Sequence, residues 1–150
     1  RLIDFELAKL MVRAGFKTFY LGFESSSSDW QKRTGAKVSS PDLVCAVEKL
    51  VKAGAKKANI TAYEIIGHPQ SDPQQLEESI RFAHSIGIRV MLAYFSPIPG
   101  TPDGDMCSKW TDMAEPLNHN KTAFPCRVWG AEVVDRLKML NKSLNRKIRD

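Results

Sequence analysis

The chain has 150 residues, of which 43% are hydrophobic and 26% are charged, close to the averages of soluble globular proteins. This composition excludes a disordered, collagen-like or disulfide-scaffold protein. No apolar run approaches the roughly 18 uncharged residues of a membrane-spanning helix, so we expect no membrane partner. The first residues, 1–5, carry neither an initiator Met nor a signal-peptide layout. We therefore expect the chain to be a piece of a longer protein.

The formal net charge is +5, and much of the basic excess lies near the C-terminus. A basic helix can follow a phosphate backbone, but long cationic side chains also line ordinary solvated helix faces. No aromatic residues interleave with these charges, as stacking on single-stranded nucleic acid requires. The composition therefore does not favour a nucleic-acid partner. The basic residues concerned are Arg136, Lys138, Lys142, Arg146, Lys147 and Arg149.

The three cysteines, Cys45, Cys107 and Cys126, show neither CxxC nor CxxxCxxC spacing. The chain alone therefore has no recognisable iron–sulfur or zinc motif. Cys45 falls on the apolar side of a predicted helix and is expected to be a buried free thiol, whereas pairing of Cys107 with Cys126 stays open. A reducing, cytoplasmic location is the default for such cysteine usage.

The first half of the chain predicts a helix, a strand and two more helices. An apolar stripe at 3–4 spacing predicts the first helix, which Gly15 ends. Residues 17–23 are short, aromatic and apolar, which suits a buried strand. A short helix is expected over 30–33. The next helix begins with Ser40 as N-cap and Pro41 in its first turn. The first stripe comprises Ile3, Leu7, Leu10, Met11 and Ala14.

The second half repeats this alternation. Residues 59–66 predict a second strand, and Ser71 resembles the N-cap of the helix that follows. A third strand is predicted over 88–95. The next nine residues, 96–104, hold three prolines and two glycines, which argues against regular structure. Residues 131–148 predict an amphipathic C-terminal helix.

Strands that alternate with helices in this way indicate a parallel sheet with crossover helices outside it. The spacing of the strand starts is compatible with the roughly 31 residues per unit of a βα barrel, but there are too few strands to close one. The predicted fold class is α/β, a parallel three-stranded βα-repeat sheet with C-terminal helices. Open sheet edges are a liability, so we expect self-association or coverage by the C-terminal segment.

Ligands of parallel α/β folds bind beyond the carboxyl ends of the strands. Three segments follow the predicted strands at that edge, residues 24–26, 67–70 and 96–100. Glu24 and Ser25 can hydrogen-bond ribose hydroxyls or an amino group, although they can equally cap the next helix.

Three further polar residues have structural as well as functional interpretations. His68, in a Gly-His-Pro turn, is more often structural than catalytic. Glu64 is unusual inside a strand, because a buried carboxylate must be paired or neutralised. We expect it to point into a polar barrel interior or to lie near an edge. Lys37 can bind a carboxylate or be merely solvated.

Four segments together resemble radical S-adenosylmethionine enzymes, and most closely the group associated with cobalamin-binding domains. The segments are 22–26 (GFESS), 31–38 (QKRTGAKV), 67–69 (GHP) and 95–102 (FSPIPGTP). The resemblance implies a partial TIM-like (βα)6 barrel. Residues 1–104 would form its C-terminal half, residues 105–150 would form a C-terminal extension, and the missing N-terminal half would be the partner.

The resemblance also implies the chemistry of that family. A [4Fe–4S] cluster reductively cleaves S-adenosylmethionine to a 5′-deoxyadenosyl radical, and the cluster-binding cysteines would lie upstream of Arg1. Glu24 and Ser25 match positions that approach the ribose or the methionyl amino group. Lys37 or Arg33 would meet the methionyl carboxylate. The positions that flank the adenine match Ile66, Gly67 and Ser96.

The resemblance thus implies a parent enzyme that uses S-adenosylmethionine, an iron–sulfur cluster and, through an absent domain, cobalamin. This chain by itself holds no metal ligands of the family and is expected to be inactive. One alternative is a phosphate- or sugar-binding βα-barrel enzyme that uses the same edge. Another is a non-catalytic module that docks RNA through the basic C-terminal helix. The substrate is not predicted.

Overall fold

The computed structural model describes residues 3–26, 31, 38–120 and 123–148. Its centre is a parallel sheet of three strands, β1 (Phe19–Glu24), β2 (Ile60–Ile66) and β3 (Arg89–Tyr94), in the order β1-β2-β3. Helices alternate with these strands, and further helices follow at the C-terminal end. The predicted α/β fold class, a three-stranded parallel βα-repeat sheet with C-terminal helices, is confirmed.

The helices before and between the strands are α1 (Phe5–Arg13), α2 (Ser40–Lys52) and α3 (Pro73–Ser85). After β3 come α4 (Pro102–Met106), α5 (Ala123–Trp129) and α6 (Ala131–Asn145). Short 3₁₀ helices span Lys57–Asn59, Cys107–Lys109 and Pro116–His119. Of the helix predicted over 30–33, only residue 31 belongs to the described part of the chain.

Two predicted helix caps were wrong by one residue. Ser39, not Ser40, caps α2, because its hydroxyl accepts the Asp42 amide while the Asp42 carboxylate accepts the Ser39 amide. Asp72, not Ser71, caps α3 through a 2.8 Å hydrogen bond from the Gln74 amide. Neighbouring residues that can all act as caps make the exact start of a helix hard to predict.

Residues 96–104 were predicted to lack regular structure, which was wrong at their C-terminal end. Pro102 occupies the first position of α4, where its missing amide hydrogen costs nothing. The Thr101 hydroxyl accepts the Gly104 amide at 3.0 Å and caps the helix. Proline and threonine in this order start a helix here instead of preventing one.

The two faces of the sheet differ in what covers them. Alternate strand side chains pack against the helices and form the core with residues such as Leu50 of α2 and Ile80 of α3. On the opposite face Tyr20, Tyr63 and Met91 are 54%, 36% and 42% exposed. The strand residues on the helix-covered side are Phe19, Phe23, Ile60, Ala62, Ile66 and Val90.

The predicted burial of Cys45 was wrong, and the apolar stripe that predicted α1 is only partly buried. Leu7 and Leu10 of α1 are 40% and 62% exposed, because the buried side of that helix is centred on Ala8, with Met11 packed beside it. Cys45 is exposed on α2. The buried positions of α2 are Leu43, Ala46, Val47 and Leu50, which leaves residue 45 outside the stripe.

The C-terminal helix covers the outer edge of β3. The Val90 amide donates to Asn145 Oδ1 at 3.1 Å, and the Val90 carbonyl accepts from Asn145 Nδ2 at 2.9 Å and Asn141 Nδ2 at 3.1 Å. These side-chain amides take the place of a fourth strand at this residue. Coverage of an edge by the C-terminal segment, one of the two expected outcomes, is observed here. No helix in the described part of the chain has the length and hydropathy to span a bilayer.

Candidate functional site

The carboxyl ends of the three strands place three polar segments along one edge of the sheet. Glu24 and Ser25 end β1, and Ile66 and Gly67 end β2. The Phe95 amide donates to the Ile66 carbonyl at 2.9 Å, so the ladder extends one residue past β3, and Ser96 follows directly. Five of the predicted site residues therefore belong to this carboxyl edge. The sixth, Lys37, and its alternative Arg33 lie outside the described residues.

Glu24 has an unusual backbone. Its φ angle is +66°, and it is the sole non-glycine residue with a positive φ in the part of the chain that is described. The pairing of β1 with β2 shifts register between Gly22 and Glu24, and the Ser25 amide donates to the Phe23 carbonyl at 2.8 Å. A left-handed conformation costs an ordinary residue about 1–2 kcal/mol. Strain of this kind tends to be kept where a site requires it.

The segment after Glu24 is held by neighbouring side chains. The Ser26 amide donates to Ser79 Oγ of α3 at 2.9 Å, and Gln31 Nε2 donates to the Ser25 carbonyl at 2.8 Å. Ser25 itself is buried. These contacts fix the direction in which the chain leaves β1 and so support the strained backbone of Glu24.

A small cleft opens beside Glu24, at the N-terminal end of α3. Its volume is about 10 Å³, close to the space that a single water occupies. It is therefore too small to hold a whole cofactor. The surface of the cleft is mainly apolar, although polar residues are among those around it: Glu24, Ser25, Ser71, Asp72 and Gln75.

Glu64 behaves differently from either expectation of the sequence. It is fully buried on the helix-covered face, not in a polar interior or near an edge, because it alternates in phase with Ala62 and Ile66. Neither of its carboxyl oxygens has a hydrogen-bond partner within the described residues. Burial raises the pKa of Glu64 to about 8, and the Ser79 hydroxyl opposes this shift only in part.

Glu64 thus lies beneath the site as a carboxyl group that is mainly protonated at neutral pH. Ser79, which influences it, also accepts the Ser26 amide and so touches the segment after Glu24. The in-phase spacing of Glu64 with its apolar neighbours was visible in the sequence and could have placed it on the helix-covered face. No local signal pointed to Ser79, which is distant along the chain.

Gly67 is enclosed by α5. Its φ is +84°, and a Cβ atom added there would lie 2.2 Å from Pro125 Cβ. Any side chain at this position would therefore displace α5 as well as strain the backbone. The close approach of Pro125 therefore gives Gly67 a role in packing, in addition to any role in binding a ligand.

His68 is buried and has defined neighbours. Its Nδ1 accepts the Gln70 amide at 3.1 Å, and its Nε2 lies 3.6 Å from Asp103 Oδ1 of α4. Its ring meets the Phe95 ring edge-on, with centroids 4.5 Å apart. The bond to Nδ1 places the proton of the neutral ring on Nε2, toward Asp103. These contacts favour the structural interpretation, and the distance of Asp103 along the chain hid it from sequence reasoning.

The described residues contain no group of three His, Cys, Asp or Glu side chains suited to a metal ion. Within the described part of the chain, Cys45, Cys107 and Cys126 form no disulfide, and burial raises the pKa of Cys107. The residues described therefore do not fit an iron–sulfur cluster.

Comparison with known proteins identifies a structural neighbour. No family model and no curated protein sequence matches the chain. Among solved structures, coproporphyrinogen III oxidase (HemN) from Escherichia coli, described as a radical SAM enzyme, is similar with a TM-score of 0.57 and 11% identity. The match covers 93% of this chain but 30% of HemN, so the chain spans less than a third of that protein. The similarity shows that the three βα units share the fold of part of a radical SAM enzyme.

Proposed function

We propose that this chain is part of a radical S-adenosylmethionine enzyme and that its carboxyl edge contacts S-adenosylmethionine. The observation that carries the proposal is the strained Glu24, held at that edge by its bulge and by the Ser26–Ser79 contact. The structural likeness to a radical SAM enzyme and the sequence resemblance of the loops support it.

Each predicted residue has a proposed role toward the cofactor. Glu24, which lines the small cleft, would accept hydrogen bonds from the methionyl ammonium or the ribose. Ser25 would assist it with its hydroxyl. Ile66, Gly67 and Ser96, at the ends of β2 and β3, would flank the adenine.

Lys37 or Arg33 would pair with the methionyl carboxylate, a role that rests on the sequence resemblance alone. So does the association of the parent enzyme with a cobalamin-binding domain.

The residues of this chain would contribute only part of the cofactor site. The carboxylate of Glu24 is the group at this edge that can pair with an ammonium. Bound S-adenosylmethionine would supply radical chemistry in the parent enzyme. The residues of this chain would bind and orient it, while cluster ligands would come from elsewhere. Because no cysteines at cluster spacing are present, we expect the chain alone to yield no 5′-deoxyadenosine when reduced with S-adenosylmethionine.

Isothermal titration calorimetry with S-adenosylmethionine tests the proposal. We expect Glu24→Gln to weaken binding about tenfold, because an amide does not neutralise an ammonium. The matched control is Glu78→Gln, which removes the same charge from an exposed position of α3. Equal affinity of both variants would exclude the role of Glu24. Binding of inorganic phosphate in place of S-adenosylmethionine would favour the alternative of a phosphate-binding barrel.

A further inference from the structure

A second concave region lies away from the carboxyl edge. It is a groove of about 880 Å³ between α6 and the edge and open face of β3. The loops that carry Glu24, Gly67 and Ser96 do not line it. None of the described residues that line it is acidic, whereas four are basic: Arg89, Lys138, Lys142 and Arg146.

Three of these cations form a row along α6 and its C-cap residue, Arg146. Lys138, Lys142 and Arg146 are four residues apart, so they follow one another about every 6 Å along a single face of the helix. Lys138 pairs with Asp135 at 3.0 Å. Within the described residues, Lys142, Arg146 and Arg89 make no ion pair, so the groove keeps a positive charge to offer a ligand.

Tyrosine side chains also line the groove. Tyr20 is 54% exposed on the open face of the sheet, and its ring centroid is 5.5 Å from that of Tyr63. Tyr94 also lines the groove. The sequence showed no aromatic residue among the C-terminal charges, and the fold supplies them from β1 and β3. The groove therefore combines cations with ring surfaces.

The position of α6 relative to the strands is fixed before any ligand binds. Asn141 and Asn145 are hydrogen-bonded to Val90, and Arg136 forms an ion pair with Glu77 of α3. The helix that carries the cations is thus held against β3 and α3. Binding would not need to order this helix, which favours affinity.

We propose that this groove binds single-stranded nucleic acid. Its phosphates would contact Lys142, Arg146 and Arg89, and a base would stack on Tyr20. An acidic polypeptide would satisfy the cations but would leave the exposed ring of Tyr20 unused. The residues named for the groove are different from those named at the carboxyl edge, so variants can test the two regions separately.

Fluorescence anisotropy of the 150-residue chain with a short fluorescein-labelled oligothymidylate at low salt tests this site. We expect Lys142→Gln/Arg146→Gln to lower the affinity at least tenfold and to flatten its salt dependence. The control Arg13→Gln/Lys52→Gln removes the same charge from α1 and α2, outside the groove, and should change the affinity less than twofold. Equal losses in both double variants would overturn the proposal.

The aromatic part of the site has its own test. We expect Tyr20→Ala to lower the affinity about tenfold and Tyr20→Phe to restore it, because phenylalanine keeps the stacking surface. Circular dichroism checks that each variant is folded. If the alanine variant is not folded, the phenylalanine variant still tests the site, because it keeps the ring. The absence of binding by the unaltered chain at low salt would overturn the proposal. Displacement of the oligonucleotide by polyglutamate, with affinity independent of Tyr20, would also overturn it in favour of an acidic polypeptide.

Discussion

The two faces of the sheet differ in how completely the rest of the chain buries them. On β2, Ile60, Ala62, Glu64 and Ile66 are completely buried against the helices, whereas Tyr63 on the opposite face is partly exposed. The helix-covered face is so closely packed that it holds even a carboxyl group without a hydrogen-bond partner among the described residues. The open face keeps aromatic and apolar side chains in contact with solvent. The chain therefore covers one face of its sheet with its own helices and leaves the other face available to a ligand or a partner.

Matched truncations of the two faces should give the largest contrast in stability. We expect Ile60→Ala to lower the free energy of unfolding by about 2–5 kcal/mol, because a fully buried side chain leaves a cavity. Met91→Ala, on the open face, should cost less than about 1 kcal/mol. Urea denaturation followed by circular dichroism measures both. Similar losses for both variants would mean that the open face is covered in solution.

The buried carboxyl of Glu64 should make stability depend on pH. The pKa of Glu64 is about 8 in the folded chain and 4.5 when the carboxyl group is exposed to water, as in the unfolded chain. Between these pH values the folded chain therefore binds a proton that the unfolded chain releases. Stability should therefore fall as pH rises, by about 3 kcal/mol from pH 5 to pH 7.5. Glu64→Gln should abolish this part of the slope, while the exposed control Glu78→Gln should retain it. A slope that is unchanged in Glu64→Gln would show that the carboxyl is not buried as described.

The covered edge of β3 offers a smaller contrast. Asn145→Ala should cost about 1–2 kcal/mol, because it leaves the Val90 amide, in a buried residue, without its hydrogen-bond acceptor. Ser143→Ala, an exposed substitution on the same helix, should be almost neutral. Equal stabilities of the two variants by urea denaturation would contradict the role of Asn145 as a substitute for a neighbouring strand.

The smallest expected effect concerns the strained residue at the carboxyl edge. Glycine adopts a positive φ without strain, so Glu24→Gly should be more stable than Glu24→Ala by about 1 kcal/mol. This order reverses the one found at ordinary positions. Thermal unfolding of the two variants compares them directly. If the alanine variant is the more stable, the left-handed conformation of Glu24 is not present in solution.

Local signals predicted the strands well. The predicted strands 17–23, 59–66 and 88–95 correspond to Phe19–Glu24, Ile60–Ile66 and Arg89–Tyr94. A strand can be predicted from nearby sequence alone when a short apolar run ends at glycine or polar residues. The placement of a polar loop after each strand at one edge follows from the parallel order. That much of the candidate site could be predicted before any coordinates.

Contacts between distant residues could not be predicted in this way. His68 faces Asp103, Ser26 is held by Ser79, and Gly67 is covered by Pro125, in each case across many residues of sequence. The exposure of Leu10 on α1 depends on how that helix packs, not on its own spacing. Tertiary packing decides such features, and the groove beside α6 belongs with them because its cations and tyrosines come from different elements.

Nuclear magnetic resonance of the ¹⁵N-labelled chain, titrated with S-adenosylmethionine, tests the central proposal most directly. We predict that amide shifts concentrate at the carboxyl edge, at Glu24, Ser25, Gly67 and Ser96, and that Glu24→Gln weakens them while Glu78→Gln does not. Shifts confined to the groove beside α6, or no shifts at millimolar ligand, would contradict the proposal that this edge contacts S-adenosylmethionine.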